Sequence, residues 1–196
     1  MLGINPKGKE QVYVDAAHQD LEDGKSSEGY VIYYAGSPVA WGAKKQQVVA
    51  PSTTIAEFMA FDRAVKEALY IQKLANALDL QHDDGPIEIN TDGDNAVKAI
   101  EKVGFSNTLK WIDNRFYFVK DMWSTNRIEF KHVDGTENPA DGFTKPLPAE
   151  TYTIFRNRLR LKQHLTDQSE QGNQKGVEGA QKNVSDYQGK HHKNCI

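Results

Sequence analysis

The sequence predicts an α/β fold in which a five-stranded mixed sheet, three antiparallel strands followed by two parallel ones, is flanked by helices. Three observations support this prediction. Strand-like segments come first, and their short links are typical of an antiparallel meander. A long stretch with apolar residues at three- and four-residue spacing follows, which indicates an amphipathic helix. Two further strand-like segments then alternate with helical patterns, which favours an α/β architecture.

The strands are predicted from residue type and alternation. Residues 11–15 and 127–133 alternate apolar and polar side chains, as half-buried strands do. Residues 29–35 are β-branched and aromatic, and the turn-forming sequence Gly36-Ser37-Pro38 separates them from the next strand. The polar segment between the first two strands, 16–27, is predicted to be a loop. The five predicted strands are 11–15, 29–35, 39–45, 87–90 and 127–133.

The helices are predicted from apolar spacing and from residues that begin and end helices. Ser52, Thr53 and Thr54 can cap the N-terminus of the long helix, and Gly104 stops the next one. The predicted helices are 54–78, 94–103, 107–123 and 148–162. Three strands, a helix, a strand, two helices, a strand and a final helix is the order of the ribonuclease H fold. Such a fold does not by itself fix a function.

The composition divides the 196 residues into a folded domain and a tail. Residues 11–162 carry the predicted elements, after a short lead-in over 1–10. In residues 163–196 polar side chains and glycine dominate, and apolar side chains almost vanish. Burial of so few apolar groups cannot offset the entropy lost on ordering, so we predict a disordered tail.

Composition also restricts the class of protein. The fractions of hydrophobic residues, 38%, and charged residues, 26%, are typical of a globular domain in water. A single cysteine, Cys195, argues against a disulfide framework or a thiolate metal cluster. Without an apolar signal region, or a run of roughly 18 apolar residues, we expect no membrane association and a cytoplasmic or nuclear location. The net charge of −3 does not indicate nucleic-acid binding, although a local basic patch can still form.

Four acids stand at the ends of the predicted elements. Asp15 closes the first strand, Glu57 lies in the first turn of the long helix, Asp92 closes the fourth strand, and Asp141 follows the fifth. Taken singly, each has an ordinary interpretation as a turn residue, a helix-dipole partner or a solvated loop acid. Together in one crevice they would repel one another, and such a cluster usually holds divalent cations. Oxygen ligands without cysteine or histidine favour Mg²⁺ or Mn²⁺ over zinc.

A pair of such cations has a defined chemistry. Two ions about 4 Å apart would activate a water and stabilise the leaving oxygen during hydrolysis of a phosphodiester. The neighbouring acid Asp94 has a different interpretation. It is predicted to lie in the first turn of the helix after Asp92, as a surface acid that compensates the helix dipole.

Three segments carry a family resemblance. They are GYVIYYAGSPVAWGAKKQQVVAPSTTIAEFMAFDRAVKEALYIQKL at 29–74, KWIDNRFYFVKD at 110–121 and ENPADGFTKPLP at 137–148. In the same order, they resemble segments of the ribonuclease H domain of copia-type (Pseudoviridae) retrotransposon polyproteins, which include a reverse transcriptase region. The resemblance covers roughly residues 11–162.

The resemblance implies a site and an activity. It implies that Asp15, Glu57, Asp92 and Asp141 are the catalytic, metal-binding acids, with two Mg²⁺ ions, or Mn²⁺ as an alternative. The implied reaction is endonucleolytic hydrolysis of the RNA strand of an RNA–DNA hybrid, leaving a 3′-hydroxyl and a 5′-phosphate. The implied partner is the reverse transcriptase region of a parent polyprotein, from which the chain would be a piece or a derived gene product.

Four positions depart from the family pattern. Ala17, Ile55, Gly93 and Trp111 stand where the family usually has Asp, Glu, Asn and His. None of them removes one of the four acids, but each lies in or near a motif. The departures fit either a divergent active domain or a catalytically inactive remnant that binds hybrids or protein partners. A related nuclease with a DNA substrate is a third hypothesis.

Five polar residues are candidate substrate contacts. Lys44, Lys45 and Gln46 follow the third strand and either contact the backbone of a hybrid or form a solvated turn. Arg115 and Lys120 share a predicted helix and either follow phosphates or reflect ordinary amphipathicity. Recognition of a hybrid would depend on shape, phosphates and 2′-hydroxyls rather than on base edges.

Overall fold

A five-stranded sheet forms the centre of the computed structural model, which describes residues 9–80, 85–102 and 113–161. The strands are β1 (Glu10–Ala17), β2 (Ser27–Tyr34), β3 (Ser37–Lys45), β4 (Ile87–Thr91) and β5 (Ile128–His132). The helices are α1 (Thr53–Ala77), α2 (Asp94–Glu101), α3 (Asp113–Ser124) and α4 (Ala149–Arg158). Two short 3₁₀ turns, Gly135–Glu137 and Pro139–Phe143, connect β5 to α4.

The strand order in the sheet is β3-β2-β1-β4-β5. β2 is antiparallel to both β1 and β3, whereas β4 is parallel to both β1 and β5. The predicted mixed sheet is therefore confirmed. Parallel neighbours end at the same edge of a sheet. The carboxyl ends of β1 and β4 consequently lie side by side, and this edge is where the predicted acids of both strands fall.

Helix α1 covers one face of the sheet and encloses the main core. Its N-terminus is capped by Ser52, whose side chain accepts a hydrogen bond from the Ile55 N–H at 3.3 Å. Its buried side packs on apolar residues of β1, β2 and β4, and the ring of Phe58 meets that of Phe116 in α3 with centroids 5.1 Å apart. The packed residues include Val12, Ile32, Ile89, Phe58 and Phe61.

A smaller core lies on the opposite face of the sheet. Tyr13, Val31 and Tyr33 pack there against Ala140 and Leu159. The Tyr33 hydroxyl donates a hydrogen bond to the Arg158 carbonyl at 3.2 Å. This cluster fixes the second 3₁₀ turn and α4 against the sheet. It therefore determines the position of Asp141, which belongs to that turn.

Several boundaries differ from the sequence-based predictions. The hairpin of β1 and β2 extends to the pair Ala17 and Ser27, because backbone pairing continues into the segment predicted to be a loop. Helix α4 ends at Arg158, and Arg160 has a left-handed φ of 55° that cannot continue an α-helix. The first part of the predicted 107–123 helix, with Trp111, and the predicted tail over 163–196 lie outside the described residues. Among the described helices, none has the length and apolar character needed to cross a lipid bilayer.

Candidate metal centre

Three carboxylates converge at the carboxyl edge of the sheet. Asp15, Asp92 and Asp141 each offer one oxygen, and these oxygens lie within 4.8 Å of one another. Asp15 is buried on β1, Asp92 follows β4, and Asp141 belongs to the second 3₁₀ turn. The first two meet because β1 and β4 are parallel neighbours. The third joins them because the smaller core holds its turn against the sheet.

A tight turn separates Asp92 from Asp94. The Asp94 N–H donates to the Asp92 carbonyl at 3.0 Å, and Gly93 between them has φ −78° and ψ 63°. These angles and this hydrogen bond define an inverse γ-turn, which is common at strand ends. Asp92 is left at the sheet edge, while Asp94 is exposed in the first turn of α2 and pairs with His132 Nδ1 at 2.7 Å. Asp92 therefore lies at the sheet edge and Asp94 on the exposed first turn of the helix, and the roles predicted for them stay predictions.

Glu57 lies beside the three-carboxylate group rather than within it. Its carboxylate contacts Gly93, where an added Cβ would stand only 2.8 Å from the Glu57 Cδ. The Ala96 N–H donates to the Gly93 carbonyl at 3.2 Å, and its proximity stabilises the charged form of Glu57. Within the described part of the chain, its Oε2 is buried without a hydrogen-bond partner. Burial raises the pKa of Glu57 to about 7, and the charges of Asp92 and Asp15 act in the same direction.

Two residues that the sequence interpretation did not single out hold the acids in place. The Thr144 hydroxyl donates a hydrogen bond to Asp15, and the Lys145 ammonium lies 3.0 Å from Asp141 Oδ1 and 3.5 Å from Asp15 Oδ2. Burial raises the pKa of Asp141, and Lys145 opposes that shift. Burial lowers the pKa of Lys145, but Asp15 and Asp141 outweigh it and the net shift is upward. Both residues stand in the ENPADGFTKPLP segment, so the signal was present in the sequence.

The donor set fits hard divalent cations. Three like-charged carboxylates place oxygens within 4.8 Å of one another, which is unfavourable unless a positive charge is shared between them. Buried polar atoms normally have partners, and the orphaned Oε2 of Glu57 is one more oxygen available beside the group. All of these ligand atoms are carboxylate oxygens, the type that Mg²⁺ and Mn²⁺ prefer. The described residues are therefore suited to a divalent metal.

A cleft of about 540 Å³ opens beside two of the acids. Asp92 and Asp141 form part of its wall, and Lys145 and Arg158 contribute positive charge to the same wall. Its lining otherwise comes from the two 3₁₀ turns and from α4. The cleft therefore offers an approach to the carboxylates that combines acids with basic side chains.

Three of the predicted substrate contacts share a second cleft. Lys44, Lys45 and Arg115 line a depression of about 320 Å³ between the end of β3, α1 and α3. The Lys45 ammonium lies 2.6 Å from Asp23 Oδ2, so its charge is partly neutralised. The acids Glu28, Asp62 and Glu67 also line this cleft, and the first two form ion pairs with Arg63 and Lys66 of the same lining. The placement is compatible with the predicted role of these three residues.

The other two predicted contacts have structural partners. Gln46 is only 2% exposed, and its Nε2 donates to the Ala56 carbonyl at 2.8 Å. It therefore joins the end of β3 to α1. A side chain this buried cannot contact a substrate. The prediction for Gln46 is corrected accordingly. The Lys120 ammonium donates to the Lys102 carbonyl at 2.8 Å and lies 5.5 Å from the centre of the Phe116 ring. It therefore packs α3 against the end of α2, away from the cleft that Arg115 lines.

Sequence comparison gives relatives of one kind. No model of a known protein family matches the chain. The chain is 27% identical over 142 residues to the retrovirus-related Pol polyprotein from transposon TNT 1-94 of Nicotiana tabacum, covering 72% of the chain and 10% of the polyprotein. It is 27% identical over 162 residues to the transposon Ty1-JR2 Gag-Pol polyprotein of Saccharomyces cerevisiae, covering 79% of the chain and 9% of the polyprotein. The chain is a homologue of retrotransposon Pol polyproteins. This Pol homologue spans about a tenth of the length of the curated relatives that it matches.

Comparison with solved structures identifies the fold. LC11-RNase H1, isolated from compost by a metagenomic approach, matches the Pol homologue with a TM-score of 0.52 and 18% identity, over 70% of this chain and 93% of that one. The foamy viral protease–reverse transcriptase in complex with double-stranded DNA matches with a TM-score of 0.52 and 18% identity, over 74% and 96%. At such identities the likeness is one of fold. The Pol homologue has the ribonuclease H fold, as its element order predicts.

Proposed function

We propose that this Pol homologue is a metal-dependent ribonuclease H, which hydrolyses the RNA strand of RNA–DNA hybrids endonucleolytically. One observation carries the proposal: oxygens of Asp15, Asp92 and Asp141 lie within 4.8 Å of one another at the edge of a ribonuclease H sheet. Support for the substrate comes from LC11-RNase H1, which has been solved in complex with an RNA/DNA hybrid and shares the fold.

The four acids have distinct parts in this proposal. Asp15, Asp92 and Asp141 would hold two divalent cations, Mg²⁺ or Mn²⁺, and Glu57 would provide the fourth ligand. When bound, such cations polarise the phosphate that is cleaved and lower the pKa of water. Asp15 is oriented for this role by the hydrogen bond from Thr144. Asp141 is oriented by its ion pair with Lys145.

Basic residues around the acids would bind the phosphate backbone of the hybrid. Lys145 and Arg158 line the cleft at the carboxylates, and Lys44 and Arg115 line the cleft between β3, α1 and α3. Phosphate contacts of this kind supply affinity and orientation without reading sequence. Such a binding mode suits a nuclease that acts on hybrids of any sequence.

The reverse transcriptase region of a Pol polyprotein is the proposed protein partner. The relatives of the chain are Pol polyproteins of which it spans about a tenth, so other regions of those proteins flank the matching segment. Hybrids would then reach the acids from a neighbouring polymerase. Action in the cytoplasm or nucleus is part of the same proposal.

Cleavage of a labelled RNA–DNA hybrid in Mg²⁺ tests the proposal. We expect wild-type protein to cut the RNA strand, and Asp92→Asn to abolish cutting because it removes a carboxylate from the group. Asp94→Asn is the matched control: the same chemical change two positions away, at an exposed acid outside the group, leaves cutting intact.

Two other outcomes would overturn the proposal. Wild-type protein that binds the hybrid but cuts it at no concentration of Mg²⁺ or Mn²⁺ would be an inactive binding module. Wild-type protein that cuts double-stranded DNA and leaves the hybrid intact would be a DNA nuclease on the same fold.

A further inference from the structure

Gly93 stands at a position whose backbone does not require glycine. Its φ of −78° and ψ of 63° belong to the inverse γ-turn, which residues with side chains adopt readily. Glycine is otherwise favoured where φ is positive or where another group approaches the backbone closely. The φ of Gly93 is not positive, so a close approach of another group is the reason that the structure offers for glycine here.

The Glu57 carboxylate occupies the space that a side chain at position 93 would fill. A Cβ on Gly93 would lie 2.8 Å from the Glu57 Cδ, and 3.0 Å and 3.2 Å from its two oxygens. These separations are shorter than ordinary van der Waals contact. The Ala96 N–H in the first turn of α2, which donates to the Gly93 carbonyl at 3.2 Å, also lies close enough to stabilise the charge of this carboxylate. Glu57 is thus docked on α2 by contacts that depend on the missing side chain.

We propose that Gly93 is a positioning residue whose missing side chain lets the Glu57 carboxylate dock on the first turn of α2, so that Glu57 joins a bound cation only by leaving Ala96. This inference rests on the proposed function, because it concerns the fourth ligand of the same centre. In the docked position Glu57 lies outside the three-carboxylate group. The charge of Glu57 is therefore farther from Asp15, Asp92 and Asp141 than it would be as a member of the group, which reduces like-charge repulsion.

The docked position has a consequence for cation affinity. Binding of a cation by all four acids must take Glu57 away from Gly93 and the Ala96 N–H and move it towards Asp92. Part of the binding free energy is spent on that movement, as in any site that is not preorganised. A side chain at position 93 would fill the docking space and displace the Glu57 carboxylate towards the three carboxylates. The chain therefore binds its cations more weakly than the same four acids would with an alanine at 93.

Calorimetric titration of Mn²⁺ into Gly93→Ala, without any substrate, tests the inference. We expect the dissociation constant to fall about tenfold, which corresponds to about 1.4 kcal/mol. We also expect the cation-free variant to melt at a lower temperature than the wild type, since Glu57 loses Ala96 and approaches the other acids. The matched control is the Glu57→Gln background, in which adding Gly93→Ala leaves the dissociation constant unchanged.

A second measurement uses the wild-type protein and does not depend on the folding of a variant. The backbone amide resonance of Ala96 is followed by NMR during a Mg²⁺ titration. We expect it to shift upfield as the Glu57 carboxylate moves away from this N–H. The amide of Lys98, whose side chain is exposed on the same helix, serves as a reference for non-specific ionic effects.

The outcomes separate this inference from the proposed function. An unchanged or weaker Mn²⁺ affinity in Gly93→Ala, an equal gain in the Glu57→Gln background, or an Ala96 amide that saturating Mg²⁺ does not shift would each overturn the inference alone. Wild-type protein that binds no Mn²⁺ at all would overturn the proposed function and this inference with it.

Discussion

The ammonium of Lys145 lies 3.0 Å from Oδ1 of Asp141, one helical turn earlier in the chain. The same ammonium lies 3.5 Å from Asp15. A positive charge from the chain therefore lies among the acids. It reduces the repulsion between the two carboxylates, and it occupies space that a bound cation would share.

Replacement of Lys145 by methionine should affect stability and cation affinity in opposite directions. The cation-free protein should lose stability, by no more than about 1 kcal/mol because the side chain is partly exposed and screened by solvent. Divalent cations should bind more tightly, because the ammonium no longer competes with them. Urea unfolding in EDTA and calorimetric Mn²⁺ titration measure the two effects, and Lys145→Arg, which keeps the charge, is the control. Weaker Mn²⁺ binding by Lys145→Met would show instead that Lys145 mainly organises the acids.

The stability of the cation-free protein should fall as the pH rises from about 4.5 to about 8. Burial raises the pKa of Glu10 from 4.5 to about 8, so in this window the folded protein holds a proton that the unfolded chain releases. The free energy of unfolding then decreases with rising pH. The contribution of Glu10 has an upper limit of about 4 to 5 kcal/mol.

Glu10→Gln isolates this contribution, since a neutral amide does not titrate. Urea unfolding of both proteins across the pH window, in EDTA, should give a flatter profile for Glu10→Gln. Some slope with the same sign remains in the variant, because burial also raises the pKa of Glu57, to about 7. Parallel profiles for the two proteins would contradict the assignment to Glu10.

Gly29→Ala should disturb the centre without touching an acid. A Cβ on Gly29 would lie 2.6 Å from the Phe143 Cβ and 3.2 Å from the Ala140 carbonyl oxygen, so the turn that carries Asp141 must move away from the sheet. Overpacking of this kind costs about 1 to 3 kcal/mol of stability. We expect a lower melting temperature and a weaker affinity for Mn²⁺.

Ala43→Ser is the control for Gly29→Ala. Ala43 pairs with Gly29 in the sheet but is exposed on the edge strand, where an added hydroxyl meets solvent. It should leave both the melting temperature and the Mn²⁺ affinity unchanged. A Gly29→Ala protein with wild-type Mn²⁺ affinity would mean that Asp141 does not depend on this contact.

Lys44 and Gln46 should respond differently to alanine substitution. Lys44→Ala should weaken hybrid binding and reduce the dependence of log affinity on log salt by about one unit, as for one lost phosphate contact. Gln46→Ala should leave the salt dependence unchanged but lose about 1 to 3 kcal/mol of stability, because the buried hydrogen bond from Gln46 to the Ala56 carbonyl is lost. Fluorescence anisotropy over a salt series and urea unfolding make the comparison. If Gln46→Ala altered the salt dependence, Gln46 would be a substrate contact after all, as the sequence predicts.

The sequence predicted the strand-end acids well and the side-chain directions poorly. Asp15 and Asp92 could be placed together because strand patterns locate the carboxyl ends of neighbouring strands. The burial of Gln46 could not be predicted, since the run Lys44-Lys45-Gln46 at the end of an edge strand gives no sign of which side chain turns inward. The docking of Glu57 depends on the space that is free because Gly93 has no side chain. The sequence gives no sign of which group fills that space.

The hydrogen bond from Thr144 to Asp15 spans 129 positions of the chain. Its partners can meet only after β4 has inserted beside β1 and the smaller core has closed on the last helix. Folds dominated by such distant pairings form slowly compared with helical bundles. In a nascent chain whose last helix has not yet left the ribosome, Asp15 and Asp92 can lie side by side, but Asp141 is not yet held beside them. The ability to bind a divalent cation should accordingly appear late in folding. Cation binding would then report when the final folding step is complete.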